Sequence, residues 1–279
     1  MAVINGTSGS DNLIGMSEND SIFGFEGNDR LDGSFGDDTL YGGGGNDLVL
    51  GYDGNDLLIG QWGNDELKGE LGEDVLYGGN GDDILDGGRD NDRLYGGAGS
   101  DTLYGYDGND QVYGGDGNDV VRGESGWDKL YGEAGDDTLY GGTGRDSLTG
   151  GSGNDVLVGV YGAADNPGKN ELDTLTGGSG RDRFVLGSRD KVFYDDREFL
   201  SPGRSDYAVL TDFFEDEDFI QLKGDRGDYV LRNSPISVGS SDQDLAIYLR
   251  QGFPEPNQLI AVVQDVSDLN LNDSYFKFV

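Results

Sequence analysis

The sequence predicts an all-β chain: short strands stacked into a solenoid, with a separate β-rich region closing its far end. Three observations predict it. A nine-residue period in glycine, aspartate and one aliphatic residue runs through more than half of the 279 residues. Apolar residues make up 34%, low for a chain that must bury a conventional core. The 52 glycines keep a register, whereas aperiodic glycine at this level would indicate a disordered, low-complexity chain.

From Gly6 to Val158 the chain divides without gaps into seventeen blocks of nine, of which "GGDGNDVVR" at 114–122 is typical. Position one is glycine in every block, position six aspartate, and position eight Leu, Ile or Val. Position four departs from glycine only at Glu18 and Asp90; positions two, three and five admit Tyr52, Trp62, Leu71 and Trp127, as variable turn sites do. A six-residue turn with several glycines allows positive φ and close backbone approach, and the three residues after it make a short strand whose middle side chain points inward. One leucine cannot be buried by one such unit. Stacking buries it: consecutive strands lie on opposite sides, eighteen residues complete a coil, and coils repeat at about 4.8 Å.

The block "GVYGAADNP" keeps the length but places Ala164 at position six and Asn166 at position eight, so it reads as a looped-out insertion at about 159–170. "GKNELDTLT" and "GGSGRDRFV" restore Asp173 with Leu175 and Asp182 with Phe184. After Gly187 the period ends and β-type segments follow: "DKVFY", "YAVLTDF", "DFIQLKG", "DLAIYLR", "LIAVVQDV" and "SYFKFV". A solenoid needs a cap over its last coil, and 187–279 is the expected one, with 1–186 as the repeat domain.

Nineteen basic against 55 acidic residues leave a net charge of −36, which opposes compaction and is unsuited to nucleic acid or anionic membranes. Cations are the expected partner. Without cysteine or histidine there are no disulfides, thiolate sites or imidazole ligands, which leaves oxygen ligands and hard cations. The start "MAVINGTSGS" does not read as an N-terminal export signal, and no stretch reads as a transmembrane segment.

Candidate metal ligands are the position-six carboxylates: Asp11, Asp20, Asp29, Asp38, Asp47, Asp56, Asp65, Asp74, Asp83, Asp92, Asp101, Asp110, Asp119, Asp128, Asp137, Asp146 and Asp155, with Asp173 and Asp182 beyond the insertion. Stacking brings those of blocks i and i+2 about one strand spacing apart, where they repel unless a cation lies between them. Carbonyls of the glycine turns add the oxygens that Ca²⁺ prefers, and about fifteen bridging sites would offset most of the charge. Turn propensity alone does not require aspartate at one position in every block.

The pattern resembles the RTX, or haemolysin-type, calcium-binding repeat family. The resemblance implies a parallel β-roll binding many Ca²⁺. "LTDFFEDEDFIQLKG" at 210–224 and "LNLNDSYFKFV" at the end resemble C-terminal regions of bacterial RTX proteins, which implies an uncleaved signal for a type I exporter and a secreted or cell-surface protein.

The expected role is a structural, non-enzymatic module that folds on Ca²⁺ outside the cell. An adhesive or self-associating face is the alternative: position nine of one sheet reads Phe23, Tyr41, Ile59, Tyr77, Tyr95, Tyr113, Tyr131 and Thr149, and should face outward to the C-terminal cap, a glycan or a second copy. The sequence holds no HExxH or GxSxG. The cluster Glu215, Asp216, Glu217, Asp218 could supply a carboxylate pair for carbohydrate chemistry, but reads better as a solvated turn.

Overall fold

A computed structural model describes residues 1–160, 172–186, 207–215, 217–233, 244–249, 258–264, 266 and 269–279. The inserted loop beyond Val160 and the segment "DKVFY" lie outside the described residues. The chain forms two compact units, Met1–Asp137 and Thr138–Val279, and each is a parallel β-solenoid.

In the first unit odd and even strands fall into two sheets. One collects Val3–Asn5, Ser21–Glu26, Thr39–Gly44, Leu57–Trp62 and their successors to Lys129–Ala134. The other runs from Asn12–Ile14 and Arg30–Phe35 to Val120–Gly126. Partners are eighteen residues apart, as Ile22↔Leu40 and Leu85↔Leu103 show. Position-eight side chains from Ile22 to Leu130 are fully buried. At the start Leu13 is only partly covered, and Val3–Asn5 adds a strand before the first complete block.

The strands are twice the expected length: six residues, as in Ser21–Glu26, covering positions seven to nine and one to three. Pairing continues through Phe25↔Gly43 and Glu26↔Gly44, so the turn shrinks to positions four to six. Burial alternates, and position one faces inward together with position eight. This separates two roles for glycine. Position one has ordinary φ, yet a Cβ on Gly60 would lie 2.3 Å from the Asp65 carboxylate and 2.6 Å from the Gly78 carbonyl. Position two takes a left-handed φ whether it holds Gly79 or Tyr52.

In the second unit the insertion changes the offset without disturbing the ladder. Ser147 pairs Thr174 and Leu148 pairs Leu175, so the partner spacing is twenty-seven. Strands of the tail then extend the two sheets of this unit. Tyr207–Leu210 pairs Leu172–Ser179, and Gln258–Val263 follows in parallel. Phe219–Leu222 and Phe276–Phe278 extend the other sheet. Leu245–Leu249 and Tyr229–Asn233 complete the first of these antiparallel, the latter a strand the sequence reading missed. Leu210, Ile220, Ile260 and Val262 are fully buried in this part.

Candidate metal centre

Every position-six aspartate from Asp20 to Asp182 is buried. The sequence reading brought these carboxylates one strand spacing apart without giving their direction; the structure turns them into the stack. Each carboxylate reaches along the stack to the backbone N–H of the aspartate one coil earlier. Asp29 Oδ1 accepts from Asp11 at 2.7 Å, Asp92 Oδ1 from Asp74 at 2.8 Å, and Asp137 Oδ1 from Asp119 at 2.8 Å. Across the insertion the same bond joins Asp146 to Asp173 and Asp155 to Asp182, each at 2.9 Å. Those two aspartates therefore rejoin the columns.

The second oxygen behaves differently along the array. In Asp29, Asp38, Asp47, Asp56, Asp65, Asp74, Asp83, Asp92, Asp101, Asp110, Asp119 and Asp182, Oδ2 is buried without a hydrogen-bond donor. At the N-terminal end it is occupied: Asp11 Oδ2 accepts from Thr7 N–H at 2.6 Å and Asp20 Oδ2 from Met16 N–H at 2.9 Å. Thr7 and Met16 stand at position two but lack the left-handed φ found there in later coils, so these turns close on their own aspartate. Asp218 likewise ends a column, accepting from Asp182 at 2.9 Å and from Phe214 at 2.8 Å. It is buried, which corrects its reading as part of a solvated turn. The spacing Asp218-x-Ile220, with Ile220 fully buried, is the repeat's own position-six, position-eight signal inside an acidic run.

Burial without a counter-charge raises carboxyls along the middle of the array from the ordinary 3.8. Asp65 and Asp101 rise to about 6, Asp56 and Asp83 to about 7, and Asp74 and Asp92 to about 8; desolvation is the largest cause and like charges one coil away add to it. Asp20 goes the opposite way, its carboxylate held down by the N–H groups of Ala2 and Met16.

A second oxygen accompanies each orphan from Asp29 to Asp119. The point where a Cβ on Gly24 would sit lies 2.4 Å from both Asp29 Oδ2 and the Gly42 carbonyl oxygen, and the pattern repeats at Gly42, Gly60 and Gly78. Among the described residues no three acidic side chains gather at one point. A cation here would take carboxylate and carbonyl oxygens only, an all-oxygen set that suits Ca²⁺ and offers nothing to softer metals. The residues therefore fit calcium.

Position five carries a second ladder that sequence reasoning missed. Asn28, Asn46 and Asn64 Oδ1 accept from the backbone N–H of Asn46, Asn64 and Asp82 at 3.0–3.1 Å. These bonds point in the opposite sense to the aspartate bonds, so each turn is clamped from both sides. Outward at position nine, Tyr77, Tyr95, Tyr113 and Tyr131 stack with centroids 4.7–5.0 Å apart.

The chain matches the RTX calcium-binding nonapeptide repeat family over residues 5–40, 23–58, 32–67, 59–94, 86–121, 122–157 and 168–188, more than half its length. No curated protein sequence matches it. Among solved structures it is similar to the AlgE6R3 subunit from the Azotobacter vinelandii mannuronan C5-epimerase, at 20% identity over 60% of this chain and 81% of that one, with a TM-score of 0.31. It is also similar to the extracellular lipase LipA from Serratia marcescens, at 15% identity over 98% of this chain and 39% of that one, with a TM-score of 0.16.

Proposed function

Because the chain belongs to the RTX calcium-binding nonapeptide repeat family, whose repeats bind calcium, we propose that it is a calcium-driven folding module: extended where calcium is scarce, folded once outside the cell. The observation that carries this reading is the row of buried, donor-less Oδ2 oxygens from Asp29 to Asp119. Left ionised they oppose the fold; beside a cation they support it. Position-six carboxylates and position-one carbonyls such as those of Gly42, Gly60 and Gly78 would hold the ion. Calcium supplies positive charge and links adjacent coils.

The net charge of −36 supports an extended metal-free chain, and export before folding accords with the absence of cysteine. A C-terminal signal for a type I exporter, a secreted or surface location and an ion count near fifteen belong to the same reading. The deciding experiment is far-UV circular dichroism from excess chelator to about 10 mM Ca²⁺, the range of extracellular calcium modules. A cooperative coil-to-β transition not reproduced by Mg²⁺ supports the reading; a β-rich spectrum in chelator at neutral pH overturns it. A self-associating face is the second reading, favoured by the outward stack of Tyr77, Tyr95 and Tyr113. Replacing the three with Ser should abolish association in sedimentation velocity while calcium folding persists.

A further inference from the structure

On the first sheet, near the N-terminal end, an open slot of about 460 Å³ lies beside the stacked pair Phe23 and Tyr41 of the aromatic column. Three strands build it, in two register rows: Phe25, Gly43 and Gln61 form one, Glu26, Gly44 and Trp62 the other. The central strand thus contributes a glycine floor. One flanking strand supplies a ring and a carboxylate, the other an amide and an indole, so the two aromatic residues stand at diagonal corners and the two polar ones at the other diagonal. The flanking backbones are about 10 Å apart, two strand spacings, which leaves room for one ring layer between their side chains.

These groups are presented, not packed. Trp62 is 63% exposed and Phe25 51%. No hydrogen bond or ion pair engages the Glu26 carboxylate among the described residues; it lies across Gly44, with Oε2 3.0 Å from where a Cβ would sit. Phe25 and Gln61 both hold a left-handed φ, a conformation that costs energy for residues with a side chain.

We infer that this slot is a binding site for a neutral saccharide. A pyranose has apolar C–H faces and a rim of hydroxyls, which matches rings on one diagonal and hydrogen-bonding groups on the other. Charge selects among saccharides: Glu26 accepts from hydroxyls, and together with a net charge of −36 it repels uronates and sulfated sugars. A quaternary ammonium ion, the other ligand of aromatic-plus-carboxylate sites, needs rings on several sides. Here Phe23 lies within 22° of parallel to Phe25 and within 3° of Tyr41, a platform and not a cage.

The test uses the full chain carrying Trp127→Phe, so that Trp62 is the sole indole, folded in calcium and checked by circular dichroism. Trp62 fluorescence is titrated with cellohexaose, mannohexaose and maltohexaose, and separately with choline and an oligogalacturonate. At least one neutral hexaose should shift the emission and saturate at about millimolar concentration, with affinity falling about tenfold or more in Phe25→Ala and in Gly44→Leu. Gly44 is not left-handed and the atoms nearest an added Cβ belong to the movable end of Glu26, so Gly44→Leu puts bulk on the slot floor without straining the backbone. No response to any of the three neutral sugars, unchanged binding in Gly44→Leu, or tighter binding of choline or the oligogalacturonate would each overturn the assignment.

Discussion

Replacing Asp92 by Asn separates the two contributions of one carboxylate, because they carry opposite signs. Asp92 is 1% exposed, its Oδ1 accepts from Asp74 N–H at 2.8 Å, and its Oδ2 has no donor. Asn keeps the acceptor and removes the charge. In chelator at about pH 7.5, a carboxyl moved from 3.8 to about 8 opposes folding by about 5 kcal/mol at about 1.4 kcal/mol per pH unit. Screening and sharing with Asp74 and Asp110 leave about 2 kcal/mol. Asp92→Asn should therefore stabilise the metal-free fold by about 2 kcal/mol, seen as a lower osmolyte concentration for refolding in chelator. In calcium the same change removes a ligand, and at about ten times the dissociation constant it should cost about 1.4 kcal/mol, seen as a lower urea midpoint. Asp92→Ala is the control: it also removes the charge but abandons the Asp74 N–H at a cost of about 1–3 kcal/mol, so the gain in chelator should fall to about zero and the loss in calcium should exceed that of Asp92→Asn. If Asp92→Asn shifts stability the same way with and without calcium, the carboxylate is not a ligand and the metal reading fails.

The metal-free chain should respond to acid in the unusual direction. Aspartates along the middle of the array are raised in the fold, to about 6 at Asp65 and about 8 at Asp74, so their stabilising contribution is complete below the unfolded value of 3.8 and is lost as pH rises through about 4 to 8. Circular dichroism in chelator should show β-structure growing as pH falls across that window, and a flat profile would contradict the burial of ionisable carboxyls. Gly60→Ala should destabilise by about 2–4 kcal/mol, seen as a lower melting temperature in calcium and a higher osmolyte concentration for refolding in chelator, because its Cβ meets the Asp65 carboxylate and the Gly78 backbone. Asp218→Asn should lose about 1–2 kcal/mol in both conditions, since both of its oxygens accept backbone N–H groups and an amide can accept with only one. A stability change whose sign depends on calcium there would place a metal at the column's end.

The coil was legible because it follows from counting: an aliphatic residue every nine positions must be buried, and Ile22 to Leu130 are. The nine-residue insertion was equally countable, and it reappears as a partner offset of twenty-seven. Direction was not legible. Aspartate at position six states that a carboxylate is needed, but a period cannot say whether it faces solvent or lies along the stack on the N–H of the preceding coil, and that choice decides its protonation. Asparagine at position five was hidden for a related reason: Asn64 suits any turn, and only stacked backbones reveal that it holds Asp82. In the tail, where nothing repeats, Tyr229–Asn233, the antiparallel partner of Leu245–Leu249, had no register to announce it.

The glycines carry the same lesson inside the repeat. Gly78 and Gly79 are adjacent and identical in sequence, yet Gly79 is glycine because φ is +120°, a position where Tyr52 is tolerated at a cost in strain. Gly78 is glycine because the Asp83 carboxylate lies 2.4 Å, and the Gly96 carbonyl 2.6 Å, from where its Cβ would be. The first requirement is conformational and admits exceptions. The second is set by the oxygens that a calcium ion would use, and among the seventeen blocks it admits none.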